Sequence, residues 1–499
     1  MTTNDTIDVT TAPVGIAPAA HRTPEWATLL VILAGTFMIT LDFFIVNVAI
    51  PTMQRDLDAS ASEIQWTVAG YGLAIAAGVI TAGRLGDLYG RRRMYAVGLA
   101  VFTLASLACG LAATAPELVA ARVAQGIAAA LLTPQVLAIA STAFTGRALT
   151  RAFTAYGLTM GIAAVFGQLI GGLLIQADVF GLGWRTCFLI NLPIGIAALA
   201  LTRRTVPGSA GTHTARLDLI GMVTVTSALV AIVMPMIEGQ SLGWPSWTYA
   251  SFALGAVLAV GYVVYQRVLT RRGGAPLINL SMFSSRGFAV GIGTQLVFWT
   301  GQASFFLVFA IYLQEGRGLS ALASGVVFTA IGAGYLVTSI NAGRFAARLG
   351  RQSVALGTLL MAIGLVGMIV TVHAIGTTGA IEWLIPSLFL DGVGMGIALS
   401  PLASIALSYV PARYAGAGAG VLSTAMQVGG AVGIAVIGIV FYRAVDGGRG
   451  IPSAFAAGLE FLVIVEVAVA VLIQFLPRPS ATSDAAPDVP SDVASDVAG

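Results

Sequence analysis

Apolar residues along this chain come in long unbroken runs, and the runs by themselves suggest an architecture. A bilayer core about 30 Å thick takes about 20 apolar residues per helix. Fourteen runs fit that length, near 27–50, 64–83, 94–113, 117–140, 152–175, 187–202, 217–237, 247–266, 287–312, 321–342, 353–373, 381–403, 415–440 and 455–476. The expected fold class is therefore all-α integral membrane, with 14 transmembrane helices. The first run is too long for a signal-peptide core and no small-residue cleavage site follows it, so it is expected to remain as a helix. Residues 1–24 are polar and dotted with proline, and 479–499 repeat Ser-Asp and Pro-Asp-Val without a basic residue. Neither end can bury a core, and both are expected to be disordered.

Composition agrees with the runs. Apolar residues make up 57% and charged ones 9%, against roughly 25% charged in a soluble domain. A formal charge of +3 implies no nucleic-acid partner. Cys109 and Cys187 lie in or beside apolar runs without metal-ligand spacing, so they read as small apolar residues and no metal is expected. No nucleophile, base or metal constellation points to an enzyme. All 25 basic residues are arginine, and their placement orients the chain. With the N-terminus inside, cytoplasmic loops and tails carry nineteen, among them Arg22, Arg216, Arg413 and Arg478; outer loops carry five, and Arg122 lies within a run. Short cytoplasmic loops are the arginine-rich ones, so both termini are expected in the cytoplasm. Trp26, Trp66, Trp184, Trp244, Trp247 and Trp383 fall at run ends, where amphipathic rings are favoured, and Trp299 is mid-run.

Between the second and third runs the chain reads Gly83-Arg-Leu-Gly-Asp87-Leu-Tyr-Gly90-Arg91-Arg92-Arg93-Met94. A stretch with these glycines and charges cannot lie in hydrocarbon and is expected as a loop on one membrane face. It resembles the helix 2–3 loop of major facilitator superfamily transporters, Gly-x-Leu-x-Asp-x-x-Gly-Arg-Arg, at every defining position. The resemblance implies a cytoplasmic gate formed by Gly83, Asp87, Gly90, Arg91 and Arg92; the arginines are also open to the plainer reading that they only set topology. Asn341–Arg351 echoes this stretch, keeping Gly343, Gly350 and Arg351 but with Ala347 in place of an aspartate. An internal repeat of this kind is the plan of a secondary transporter. If the seventh and eighth runs are an insertion, the order is 6+2+6. Six-helix bundles are then expected over 25–205 and 271–478, with a two-helix insertion over 206–270. This order is similar to the fourteen-helix drug:proton antiporter branch of the superfamily.

Charges within runs are the next pointers, since each costs about 2.5–3.5 kcal/mol at mid-helix on insertion scales. Asp42 lies in Leu41-Asp-Phe-Phe-Ile-Val-Asn47-Val-Ala-Ile-Pro51, which resembles the first-helix signature of that branch, where the aspartate is associated with proton and cation coupling. Arg122 opens Arg-Val-Ala-Gln125-Gly126, which resembles the fourth-helix signature Arg-x-x-Gln-Gly. At about 1.5 Å per residue both reach a similar depth, so a carboxylate–guanidinium pair is possible if both helices line the cavity. The alternatives are a structural Asp42 bonded to Asn47 or a neighbour, and an Arg122 bonded to backbone carbonyls. Asp391 is a third candidate for proton coupling, or a structural carboxylate, and Glu466 reads as structural.

The fifth run carries Gly157, Gly161, Gly167, Gly171 and Gly172 and resembles the antiporter motif Gly-x-x-x-Gly-Pro-x-x-Gly-Gly, with Gln168 in place of proline. That helix is expected to kink less. The start of the sixth run, Trp184-Arg-x-Cys-Phe-x-Ile-Asn-x-Pro193, also matches the branch. Gln427, Gly429 and Gly430 mark a second gating helix in the thirteenth run. Asn47, Gln125, Trp299 and Phe305 are candidates for the substrate cavity. The resemblance implies proton-coupled export of a drug, antibiotic or other amphipathic molecule by alternating access. It implies no cofactor beyond the proton-motive force, a small-molecule substrate, protons and the lipid bilayer as partners, a monomer, and a multi-pass protein of the inner membrane. An importer or facilitator on the same fold is the alternative, with Gln168 as its support. A channel would need a continuous polar pore, which scattered charges do not supply.

Overall fold

A computed structural model describes residues 25–208, 211, 217–376, 378–410 and 415–477. The two tails, and with them Arg22, Arg216, Arg413 and Arg478 of the orientation argument, lie outside the described residues. Fourteen helices are long and apolar enough to span a membrane: α1 Glu25–Asp56, α2 Ala61–Tyr89, α3 Arg91–Leu111, α4 Ala115–Ala143, α5 Gly146–Ala177, α6 Gly183–Thr205 and α7 Leu219–Ser241. The rest are α8 Ser246–Arg271, α9 Arg286–Gly316, α10 Ala321–Ser339, α11 Arg351–Ile375, α12 Ile381–Ser408, α13 Ala417–Asp446 and α14 Ile451–Phe475. Each matches one apolar run, and the described residues hold no strand. The local causes are plain. Ser60 and Thr114 each open a helix with a capping box that closes on Glu63 and Glu117, so that first-turn N–H groups are bonded before the chain enters hydrocarbon.

The Gly83–Met94 stretch corrects the loop expectation. Helix α2 runs on to Tyr89, α3 starts at Arg91, and Gly90 alone breaks them, with φ of 93°. A left-handed conformation at one glycine turns the chain without an extended loop. The charges still clear hydrocarbon because they sit on helix ends. In the echo, Gly350 takes the same role with φ of 52°, but α10 stops at Ser339 and a separate short helix, Ala342–Leu349, precedes it.

Helix packing repeats between the halves. Contacts of α2 with α4, α3 with α4, α1 with α5 and α3 with α6 recur as α10 with α12, α11 with α12, α9 with α13 and α11 with α14. The halves then meet through α5 on α10 and α2 on α13, with α1 against α9 between them. Glycines allow this closeness. A side chain at Gly171 would meet Val48 and Ile45 of α1, and one at Gly172 would stand 2.8 Å from Leu322 Cα. Such smooth faces let backbones touch where lipid supplies no hydrophobic drive between helices. The α5–α10 seam is tight at the end carrying Gly172 and Ala321. It loosens toward the Gly90 face, where a Cβ at Gly161 would meet only the Tyr335 ring at 3.7 Å and one at Gly157 nothing within 4 Å. On the tight face Gln314 Nε2 also donates to Val48 O at 2.8 Å, tying α9 to α1.

Helices α7 and α8 pair with each other, and α7 rests on α2 and α13. Their root is Asp218, whose carboxylate accepts from Gln266 Nε2 at 2.6 Å, Gly221 N at 2.8 Å, Tyr265 OH at 3.0 Å and Leu277 N at 3.0 Å. Burial pushes this carboxyl up, and the four donors outweigh it and hold it below the usual 3.8.

Candidate functional site

The middle of α1 faces two ways. Phe43 and Phe44 point to α9, edge-on to Trp299 and Phe306, and Asp42 points back into its own half. There α4 presents Arg122 and Gln125 one turn apart, α3 presents Ser106 and Cys109, α2 presents Thr67 and Tyr71, and α6 presents Asn191. All seven of these residues and Asp42 are buried, with Asp42 fully inaccessible and Arg122 1% exposed.

Arg122 Nη1 is paired with Asp42 Oδ2 and also donates to Gln125 Oε1 at 2.7 Å. Its Nε donates to Thr67 O at 3.0 Å. The guanidinium carbon lies 4.1 Å from the centre of the Tyr71 ring and 5.7 Å from that of Phe188. Asp42 Oδ1 accepts from Gln125 Nε2 at 2.7 Å and Asn191 Nδ2 at 3.3 Å. Ser106 Oγ accepts from both amides, at 2.7 and 3.1 Å. A buried charge is tolerable only when paired and hydrogen-bonded, and here both partners are. Protonating Asp42 would leave Arg122 with a carbonyl, an amide oxygen and two rings, which is too little for a cation out of water. A charge change here therefore has to be accompanied by movement.

The structure brings Asp42, Arg122 and Gln125 together. Asn47 is elsewhere, donating back to Phe43 O and Phe44 O of its own helix at 3.1 and 3.2 Å. Trp299 reaches the seam between the halves, its ring N–H buried without a protein partner. Phe305 stands edge-on to Phe306 and stacks on Phe309. Asp391 stands in the other half, buried on α12 against Gly364 of α11. Of the residues expected at the gate, Asp87 pairs with Arg91 at 3.3 Å, Arg91 also donates to Ala138 O at 3.1 Å, and Arg92 donates to Val206 O at 3.3 Å. Gln427 of α13 lies against Gly72 of α2, and Gly429 and Gly430 lie against Leu296 and Ala303 of α9.

Several participants escape sequence reasoning. Ser106, Tyr71 and Thr67 are neutral groups that cost little in a helix and carry no spacing signal. Asn191 stood inside a matched motif, and its position in an apolar run was the available clue. Arg84, within the arginine motif, donates to Ala275 O at 3.0 Å and to Pro276 O, fastening the end of α2 to the segment that leads into α9.

Comparison with known proteins follows the same lines. The Major Facilitator Superfamily model matches residues 32–434. The chain is 39% identical over 430 residues to a probable actinorhodin transporter of Streptomyces coelicolor, covering 86% of this chain and 74% of that one. It is 33% identical to the multidrug resistance protein Stp of Mycobacterium tuberculosis, covering 83% and 75%. To the tetracenomycin C resistance and export protein of Streptomyces glaucescens it is also 33% identical, covering 86% and 78%. Among solved structures, a POT family transporter in complex with a thioalcohol conjugated peptide aligns with TM-score 0.65 at 16% identity, over 90% of this chain and 95% of that one. The partially occluded inward open xylose transporter XylE from E. coli aligns with TM-score 0.61 at 14% identity, over 91% and 100%; at such identity these two speak for the fold alone. With fourteen spans, a repeated helix arrangement and a family model over most of its length, this chain is a multi-pass membrane protein that belongs to the major facilitator superfamily.

Proposed function

We propose that the chain exports an antibiotic-like or otherwise drug-like amphipathic molecule, driven by protons moving the other way. The observation that carries this reading is the buried Asp42–Arg122 pair; the export and resistance names of its relatives supply the substrate class. A proton taken up by Asp42 cancels one member of the pair, and Arg122 must find new partners. Its bond to Thr67 O lies on α2, which packs on α13 across the seam. Relaxation of the site is thus handed to a helix that holds the halves together. The two halves rock about the seam, open in turn to each side, and require no cofactor, only the proton gradient. With the arginine-rich face in the cytoplasm, the seam described above is closed to the outside and looser inside.

Inside-out vesicles with an acidic interior and a pH-sensitive dye test this. Cationic dyes and antibiotics added to the wild type are expected to trigger proton release, and Asp42→Asn is expected to abolish it while inserting normally. Transport at the wild-type rate by Asp42→Asn would remove Asp42 from the mechanism. Accumulation in the opposite direction would make the chain an importer.

A further inference from the structure

Away from the seam, the ends of α1, α3 and α6 meet at the arginine-rich face. Two bonds fix the junction: Arg92 Nη1 donates to Val206 O at 3.3 Å, and Thr28 Oγ1 donates to Thr205 O at 2.6 Å. Three further arginines stand around it, Arg93 in the first turn of α3 and Arg203 and Arg204 in the last turn of α6. All three are exposed, and among the described residues none has a hydrogen-bond or ion-pair partner. The acidic groups on these helix ends are Glu25, exposed at the start of α1, and Asp87, which is paired with Arg91. Toward the membrane the same surface is apolar. Val97 lies one turn from Arg93, Leu201 one turn from Arg204 and Ile196 two turns from Arg203, so each shares a face with its arginine, and all three are exposed. Cations above hydrocarbon-facing side chains have the two-part form of an anionic lipid.

The matching junction in the second half is built otherwise. Arg351 of α11 donates to Gln474 O and Leu476 O, as Arg92 does to Val206 O. The next residue, Gln352, donates to Gln474 Oε1 at 2.8 Å, and neither the first turn of α11 nor the last of α14 carries another arginine. One arginine is thus enough to join the helices, and Arg93, Arg203 and Arg204 are surplus to that task. Setting orientation needs charge on this face, but not three cations grouped over an apolar surface. We propose that this junction binds an anionic phospholipid, with its phosphate at Arg93, Arg203 and Arg204 and its acyl chains along Val97, Ile196 and Leu201. Guanidinium groups suit phosphate because their paired N–H groups match its oxygens. Helices α3 and α6 make their main contacts within the first half, so the lipid braces that half and leaves the seam free to rock.

The full chain in detergent is titrated with dioleoylphosphatidylglycerol and, as the zwitterionic control, dioleoylphosphatidylcholine, with thermal unfolding as the readout. Phosphatidylglycerol is expected to stabilise the wild type saturably, and phosphatidylcholine is not. The double variant Arg203→Gln/Arg204→Gln is expected to raise half-saturation at least tenfold. Arg147→Gln/Arg151→Gln removes two exposed arginines from the start of α5 on the same face and is expected to leave it unchanged. Phosphatidylglycerol with a photoreactive acyl chain is expected to label peptides holding Val97 or Leu201 in the wild type, which checks the site without any substitution. Equal stabilisation by phosphatidylcholine, equal losses in the two double variants, or labelling confined to other helices would overturn the proposal. Saturable stabilisation by glycerol phosphate would do so too, by giving the arginines to a free phosphate ester.

Discussion

The two halves share a helix arrangement and differ in how they treat buried charge. In the first, Asp42 meets an arginine and two amides near the middle of α1. In the second, Gln302 holds nearly the corresponding place on α9 and donates to Glu466 Oε1 at 3.4 Å, while Glu466 Oε2 has no partner. Asp391 is likewise buried, and among the described residues no arginine forms an ion pair with either carboxyl. The same scaffold thus houses a compensated pair on one side and uncompensated acids on the other. Helix packing can be duplicated with the fold, but a charge pair has to be built residue by residue, and among the described residues only the first half has a buried one.

Breaking the pair is expected to have the largest effect. Asp42→Ala or Arg122→Leu leaves its partner charged and buried, which costs about 3–5 kcal/mol and stops transport. The double variant Asp42→Asn/Arg122→Gln is expected to recover most of the stability and none of the coupling. Unfolding of both singles and the double gives the interaction energy, and strictly additive losses would show that the two charges do not depend on each other.

Next comes the seam. Gly172→Leu places a side chain against Leu322, and vesicle transport is expected to fall at least tenfold with the tight face held open. Cysteine accessibility along α5 is the check; a variant that transports normally would mean that this approach is not needed for closure.

Replacing the buried acids of the second half sharpens the contrast. Asp391→Asn and Glu466→Gln exchange carboxyls without an ionic partner for amides of nearly the same shape, so each is expected to change stability by less than about 1 kcal/mol. A loss as large as that of Asp42→Ala would erase the difference between the halves.

Asp218 offers a test outside both. Its carboxyl lies below its ordinary value in the folded protein, so its contribution is full at neutral pH and is lost as pH falls through that depressed value. Stability of the wild type is expected to drop in this acid range more than that of Asp218→Asn, which lacks the contribution throughout. Parallel curves would remove the carboxylate from the account.

The smallest effect concerns the two arginine faces. Asp87 and Arg91 are an exposed i,i+4 pair, and Ala347 stands at the same spacing before Arg351. That arginine instead donates to Gln474 O at 3.0 Å and to Leu476 O. Ala347→Asp is expected to add no more than about 0.5 kcal/mol, measured by a double-mutant cycle with Arg351→Gln. A larger gain would mean that the second half lacks only its carboxylate.

How far the sequence reached depends on the physics of each signal. Spans were legible because about 20 apolar residues in a row have few other uses. The pairing of Asp42 with Arg122 was legible because mid-membrane charges are costly, and their depths could be counted. Gly90 and Gly350 were visible as glycines, but that α2 runs to Tyr89 was not, since charged residues on a helix end and in a loop read alike. Phe305 was readable as an aromatic candidate for the cavity, but that its ring stacks on Phe309 was not, because an aromatic run does not say which side it faces. Glu466 read as structural from its place on the last helix, yet one of its carboxylate oxygens is buried without a bond. The neutral members of the Asp42 network left no trace because a serine or tyrosine in a helix needs no explanation.

Three consecutive residues near the start of α2 point to three different bodies. Gln65 sits against Gly438 of the second half, Trp66 bonds Glu238 of the α7–α8 pair, and the carbonyl of Thr67 holds Arg122 of the first half's charge site. Successive helix residues diverge by about 100°, so one turn is enough to reach all three. That turn works as a differential gear: a rotation of α2 started by any one of the three contacts cannot be taken up there without being delivered to the other two.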